Sequence, residues 1–268
     1  MMVQFIEGWP AVVETDERTA FDTTLPDYVE QLTGFYERYL AAIEEQDPAA
    51  LDSFGLSERS AAGFAALEAR LPAHLATGKP WMLKGQVTGP FTQGTNLLDQ
   101  DRRCAYYDEQ LRDVVVKGVA LKAAWQMQRL GAYGLPLMIF LDEPSLVGFG
   151  SQTYLTVSRE DVVGDINEVV TTIHARGGRA GIHCEENTDW GLLMETELDI
   201  LDFDAYDHMQ AMTLYPAELR AFLDRGGWLG WGIVPTLDPR AAATETVESL
   251  LPRFEAGVQR LVDKGMDR

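Results

Sequence analysis

The stretch Arg179-Ala-Gly-Ile-His-Cys-Glu-Glu-Asn-Thr-Asp-Trp190 is denser in ligand-type side chains than any other part of the chain. A short apolar run leads directly into His183 and Cys184, and this run predicts a strand. The polar end of such a strand lies at the carboxyl edge of a sheet, where open α/β sheets and barrels place their chemistry. Imidazole, thiolate and carboxylate groups are the side chains that bind zinc, so the stretch is a candidate metal site.

Two other predicted strands also end in acids. The continuous apolar run from Leu135 to Leu141 is typical of a parallel strand buried on both faces, and Asp142 and Glu143 follow it. A later run, Asp199-Ile-Leu-Asp-Phe-Asp204, ends in another acid. Carboxylates at the end of an apolar strand are seldom plain surface charges, so we expect Asp142 and Glu143 to line a pocket.

The first third of the chain predicts a strand and then helices. Met2-Val-Gln-Phe-Ile-Glu7 has the composition of a short strand with Glu7 at its end. Apolar residues then recur at helical spacing, and the second of these helices is expected to stop at Pro72. The pattern predicts a helical insertion at about residues 24–78.

Strands and helices alternate along the rest of the chain, which predicts a parallel α/β sheet. The 268 residues contain no low-complexity tract or linker, so we expect one domain spanning 1–268. A net charge of −20, from 22 basic and 42 acidic residues, argues against a nucleic-acid partner. Two cysteines, no signal-peptide pattern and no long apolar run favour a cytoplasmic protein without a membrane partner.

Five short motifs in a fixed order carry a family resemblance. They are Lys84-Gly-Gln-Val-Thr-Gly-Pro90, Ile139-Phe-Leu-Asp-Glu-Pro144, Gly181-Ile-His-Cys184 with Asn187 and Trp190 behind it, Leu201-Asp-Phe-Asp204, and Gly230-Trp-Gly-Ile-Val234. The series resembles the catalytic barrel of cobalamin-independent methionine synthase and its uroporphyrinogen-decarboxylase-like relatives, and it covers most of the chain.

The resemblance implies a (β/α)8 TIM barrel that transfers a methyl group to a homocysteine-like thiol. In the family a zinc ion binds the thiol, lowers its pKa and presents the thiolate to a methyl donor, here of folate or corrinoid type. His183 and Asp204 match zinc ligands of the family. Asp142, and less closely Glu7, match acids that hold the amino group of the substrate.

The chain departs from the family pattern in the zinc site. Two residues after His183 the family has Cys, whereas this chain has Glu185, with Cys184 between them. Side chains alternate along a strand, so His183 and Glu185 point one way and Cys184 the other. Either Glu185 binds the metal as a carboxylate, or Cys184 turns inward at a bulge.

A second departure concerns the strands themselves. The resemblance aligns residues 2–7 with the second barrel strand and 228–234 with the seventh, which predicts an incomplete barrel without its first and last strands. Such a chain is a fragment, receives those strands from a partner, as within an oligomer, or is a degenerate paralogue. The resemblance also allows a uroporphyrinogen-decarboxylase-like decarboxylase as an alternative function. The missing strands and Glu185 favour a further alternative, a non-catalytic barrel that acts as a binding module.

Overall fold

The protein is described by a computed structural model that covers residues 2–78, 80–154, 156–185 and 187–267. Glu186, which belongs to the ligand-rich stretch, lies outside these ranges. The chain forms a mixed α/β structure with a parallel sheet of five strands in the order β3-β4-β5-β6-β7, flanked by helices, and an antiparallel hairpin of β1 and β2. The predicted α/β class is confirmed, while the incomplete (β/α)8 barrel stays a prediction.

The elements follow the predicted alternation. The strands are β1 (Val12–Glu14), β2 (Thr19–Phe21), β3 (Leu83–Thr88), β4 (Leu137–Asp142), β5 (Arg179–Cys184), β6 (Ile200–Asp204) and β7 (Trp228–Gly232). The helices are α1 (Tyr28–Ile43), α2 (Pro48–Asp52), α3 (Glu58–Thr77), α4 (Pro90–Asn96), α5 (Glu109–Gly131), α6 (Arg159–His174), α7 (Trp190–Glu195), α8 (Met209–Met212), α9 (Pro216–Asp224), α10 (Pro239–Thr244) and α11 (Val247–Asp263). Within the described ranges, no helix combines the length and apolar character needed to cross a membrane.

The chain divides into two compact units. The first contains Met1–Glu143 and Gly164–Ala180, and the second contains Pro144–Val163 and Gly181–Arg268.

In the first unit, β3 and β4 pair in parallel from Leu83 opposite Leu137 to Thr88 opposite Asp142. Gln126 of α5 fixes the helix against β3, because its side-chain amide accepts a hydrogen bond from the Gln86 amide and donates one to the Gln86 carbonyl. This contact holds the strand end that carries the Thr-Gly-Pro turn.

The prediction of a strand at residues 2–7 is wrong. Met2–Gln4 is a short 3-10 helix. The consecutive side chains of Phe5 and Ile6 are both 2% exposed. In a strand, neighbouring side chains point to opposite faces, so a segment that buries two in a row against one core turns instead of extending.

The predicted stop at Pro72 is also wrong, because α3 continues to Thr77 with Pro72 inside it. Proline has no amide hydrogen, so the carbonyl four residues earlier, at Glu68, loses its helical donor. The Tyr133 hydroxyl, 3.2 Å away, donates to that carbonyl instead. A side chain distant in sequence thus satisfies the carbonyl that the proline leaves without a helical partner.

In the second unit, β5, β6 and β7 pair in parallel, with His183 opposite Asp202 and Asp202 opposite Gly230. Alternate residues face a packed apolar layer in which Phe203 contacts the rings of Trp190 and Trp231, at 5.9 and 5.5 Å between centroids. The remaining residues of the three strands, including His183, face the other side of the sheet.

Candidate functional site

The centre of the candidate site is a hydrogen-bonded pair on neighbouring strands of the second unit. Nδ1 of His183 on β5 lies 3.1 Å from Oδ2 of Asp202 on β6. The two residues are direct partners in the β5–β6 register, so the sheet itself sets their spacing. Their side chains are 39% and 31% exposed, so the pair is half-buried but reachable from solvent.

The next strand leaves room for the Asp202 side chain. A Cβ at Gly230 on β7 would lie 2.7 Å from Oδ1 of Asp202, closer than non-bonded atoms tolerate. The first glycine of the Gly230-Trp-Gly232 motif is therefore required by the carboxylate that orients His183.

A cavity of about 520 Å³, which we call the site cavity, opens at this sheet edge. His183, Glu185 and Asp204, three of the four predicted metal ligands, all line it. Further acids around it are Asp202, Asp207 and Asp238, while Val234, Pro235 and Leu237 form apolar parts of its wall. Its described lining contains no lysine or arginine, so the cavity has a strongly negative potential.

Asp204 shapes the cavity through the turn that follows β6. Its Oδ1 accepts hydrogen bonds from the amides of Tyr206 and Asp207, at 2.9 and 3.0 Å. The carboxylate thus closes a local turn and lies in the cavity wall as well.

Cys184 is the fourth predicted ligand, and it lies on the opposite face of the strand. Its side chain is 2% exposed, and it is the register partner of Phe203 in the apolar layer. The alternative in which Cys184 turns inward at a bulge is wrong, because β5 runs without interruption through Cys184. The phase of the strand decides this point, as the alternation of side chains predicts.

These positions test whether the chain fits the implied zinc site. Across residues 2–78, 80–154, 156–185 and 187–267, no group of three or more His, Cys, Asp or Glu side chains is arranged to hold a metal ion. The thiol is turned away from the site cavity, and the side chains that remain there are imidazole and carboxylates. This donor set does not fit the zinc–thiolate site that the resemblance implies.

Glu143, expected in a substrate pocket, has a structural role in the first unit. It is 0% exposed, and its carboxylate accepts hydrogen bonds from the Phe91 amide at 2.9 Å, the Thr92 amide at 2.7 Å and the Thr92 hydroxyl at 2.6 Å. Burial raises the pKa of Glu143 to about 7, against the effect of these hydrogen bonds. The carboxylate fixes the start of α4, and a Cβ at Gly89 would collide with it.

Glu7 is likewise engaged within the first unit. Its carboxylate accepts hydrogen bonds from the Ser57 amide and hydroxyl, both at 2.8 Å, and from the Ser60 hydroxyl. Burial acts to raise the pKa of Glu7, but the hydrogen bonds from Ser60 and Ser57 outweigh it and lower the pKa. The backbone carbonyl of Glu7 accepts a hydrogen bond from Lys122, a fully buried lysine that sequence reasoning missed.

Asp142 is the last residue of β4 and is 7% exposed. Its carbonyl accepts a hydrogen bond from the Gly89 amide at 2.9 Å, which begins the Thr-Gly-Pro turn. Its predicted contact with a substrate amine stays a prediction.

Asp202 is the principal site residue that sequence reasoning missed. The available signal was its position two residues before Asp204, since residues two apart on a strand share a face.

A comparison with protein-family models and a comparison with curated proteins find no match for the chain.

Proposed function

We propose that the chain is a methyltransferase of the methionine-synthase type that transfers a methyl group to the sulfur of a small thiol in the site cavity. The observation that carries the proposal is the His183–Asp202 pair in the lining of an acid-rich cavity, at the carboxyl ends of β5 to β7. The motif order that resembles the methionine-synthase family supports the choice of reaction.

The His183–Asp202 pair is suited to accept the thiol proton. When Nδ1–H donates to Asp202, the imidazole is held in the tautomer whose Nε2 accepts a proton. In the proposed step Nε2 takes the thiol proton, the thiolate attacks the methyl carbon, and the donor leaves with the electron pair of the broken bond. A positioned general base contributes about 10²- to 10⁴-fold to such a rate.

The acids of the site cavity select the acceptor. Asp204, Asp207 and Asp238 favour a ligand that carries an amino group and disfavour an anionic one. Zinc has no step in this proposal, because the described side chains do not form the thiolate-containing site.

For the fold we propose that the five parallel strands are part of a (β/α)8 barrel of the methionine-synthase superfamily. The support is the parallel pairing of β3 with β4, of β5 with β6 and of β6 with β7, and the repeated position of polar residues at the carboxyl ends of strands, at Thr88, Asp142, His183 and Asp204.

The test is thioether formation by the purified full chain. Homocysteine is supplied as the thiol with either methyl-folate or methylcobalamin as donor, and the product is measured by mass spectrometry, with a chelator or with added zinc in parallel. We expect His183→Gln and Asp202→Asn to lower the rate at least about 100-fold. His74→Gln, on the exposed end of α3, is the matched control and keeps the rate of the unchanged protein.

A rate that is the same in His183→Gln and in the unchanged protein would refute the role of the pair. A rate that requires added zinc would refute the metal-free step.

A non-catalytic binding module is the second candidate, favoured by the burial of Cys184 away from the site cavity. It predicts that homocysteine binds while no thioether forms with either donor.

A further inference from the structure

A second cavity, of about 480 Å³, lies in the same unit and shares Tyr206 and Asp207 with the site cavity. The turn that contains these two residues therefore contributes to the lining of both cavities. The lining of the second cavity contains a guanidinium and two side-chain amides, which the site cavity lacks, together with an imidazole; these groups belong to Arg260, Asn187, Gln210 and His208.

Arg260 differs from most arginines of its unit. Arg159 pairs with Asp189 and Glu195, Arg253 lies 3.9 Å from Glu245, and Arg225 donates to backbone carbonyls. Within the described part of the chain, the Arg260 guanidinium has no hydrogen bond or ion pair, although the protein has 42 acids. A guanidinium that lines a cavity and is not engaged by the protein is available to an external anion.

We propose that Arg260 and His208 form a carboxylate-binding subsite in the second cavity, adjoining the proposed active site. The planar fork of a guanidinium matches the two oxygens of a carboxylate, and an imidazole N–H supplies a further donor. A carboxylate is favoured over phosphate because Asp207, which also lines the cavity, repels a dianion more strongly than a monoanion.

The link between this subsite and catalysis rests on the proposed function. In that function the carboxylate of the thiol substrate binds the subsite, and the rest of the substrate lies in the site cavity. The subsite itself is independent of methyl transfer and is tested without it.

The chain has four histidines, so the histidine ring signals in an NMR spectrum report on single positions. Propionate and inorganic phosphate are titrated separately at fixed pH and ionic strength, and the His208 signal is identified by its loss in His208→Asn. We expect propionate to shift the His208 signal saturably, phosphate to bind more weakly, and the His74 signal to stay unchanged.

The variants test the arginine. Arg260→Ala is expected to weaken propionate binding about tenfold, which corresponds to about 1.4 kcal/mol. Arg260→Lys, which keeps the charge but loses the fork, is expected to weaken it less. Arg240→Ala, at the exposed start of α10, is the control and leaves the affinity unchanged.

An unmoved His208 signal, or an affinity unaffected by Arg260→Ala, would overturn the subsite, and tighter binding of phosphate would overturn its assignment to a carboxylate. Saturable, Arg260-dependent binding of propionate supports the subsite even where no thioether forms, so failure of the methyl-transfer proposal is seen separately.

Discussion

Replacing Glu143 with glutamine separates the hydrogen bonds of this buried carboxylate from its ionisation. Glutamine keeps one acceptor oxygen, but its NH₂ group faces the Thr92 amide hydrogen, which Oε2 of Glu143 accepts at 2.7 Å. One buried backbone donor then loses its acceptor, at a cost of about 1 to 3 kcal/mol.

The pKa of Glu143 adds a pH dependence to this cost. Burial raises the pKa from 4.5 to about 7, so between these two values the folded state binds the proton more strongly than the unfolded state. The contribution of the protonated Glu143 carboxyl to the free energy of unfolding is fully present below about pH 4.5 and is lost as the pH rises through 7. At about 1.4 kcal/mol per pKa unit, the unchanged protein loses about 2 to 3 kcal/mol between pH 5 and pH 8, and Glu143→Gln does not.

The assay is urea unfolding of both proteins at pH 5 and pH 8, followed by tryptophan fluorescence. We expect Glu143→Gln to be less stable by about 1 to 3 kcal/mol at pH 5 and nearly equal to the unchanged protein at pH 8. Glu17→Gln, an exposed loop residue, controls for the loss of one negative charge. A Glu143→Gln cost that is the same at both pH values would show that the carboxyl does not titrate in this range and would refute the reasoning.

Three further outcomes are expected. Gly230→Ala places a methyl group against Asp202 and should lower methyl transfer about tenfold or more while the urea midpoint falls only slightly; an unchanged rate would contradict the need for space at this position. Glu185→Cys puts a thiol on the face of the site cavity and should raise the zinc content after dialysis, measured by metal analysis, whereas the unchanged protein should stay without stoichiometric zinc. Tyr133→Phe removes the donor to the Glu68 carbonyl and should lower the free energy of unfolding in urea by about 1 kcal/mol. The local readout is faster hydrogen exchange of the backbone amides around that turn of α3. Amide protection equal to that of the unchanged protein would argue against the hydrogen bond from Tyr133.

Local periodicity made the alternation of strands and helices predictable. The β5 stretch is the clearest case, because a period of two places His183 and Glu185 on one face and Cys184 on the other, as found. The same rule applied to β6 would have identified Asp202.

The errors come from partners distant in sequence. Nothing near Pro72 indicates that Tyr133 satisfies the carbonyl of Glu68, so the local sequence predicts a helix stop where none occurs. Glu143 has the position of a pocket residue, but its role depends on amides more than 50 residues away. Tertiary contacts of this kind override a local sequence pattern, and the local sequence itself does not indicate them.

Strand β6 carries the chemistry and the core in alternate residues, with Asp202 and Asp204 on one face and Leu201 and Phe203 on the other. A shift of its pairing by one residue would bury two carboxylates and expose a phenyl ring. Variants that keep the fold therefore keep Asp202 beside His183. Selection for folding alone preserves the geometry of the site, even in a lineage that is no longer selected for activity.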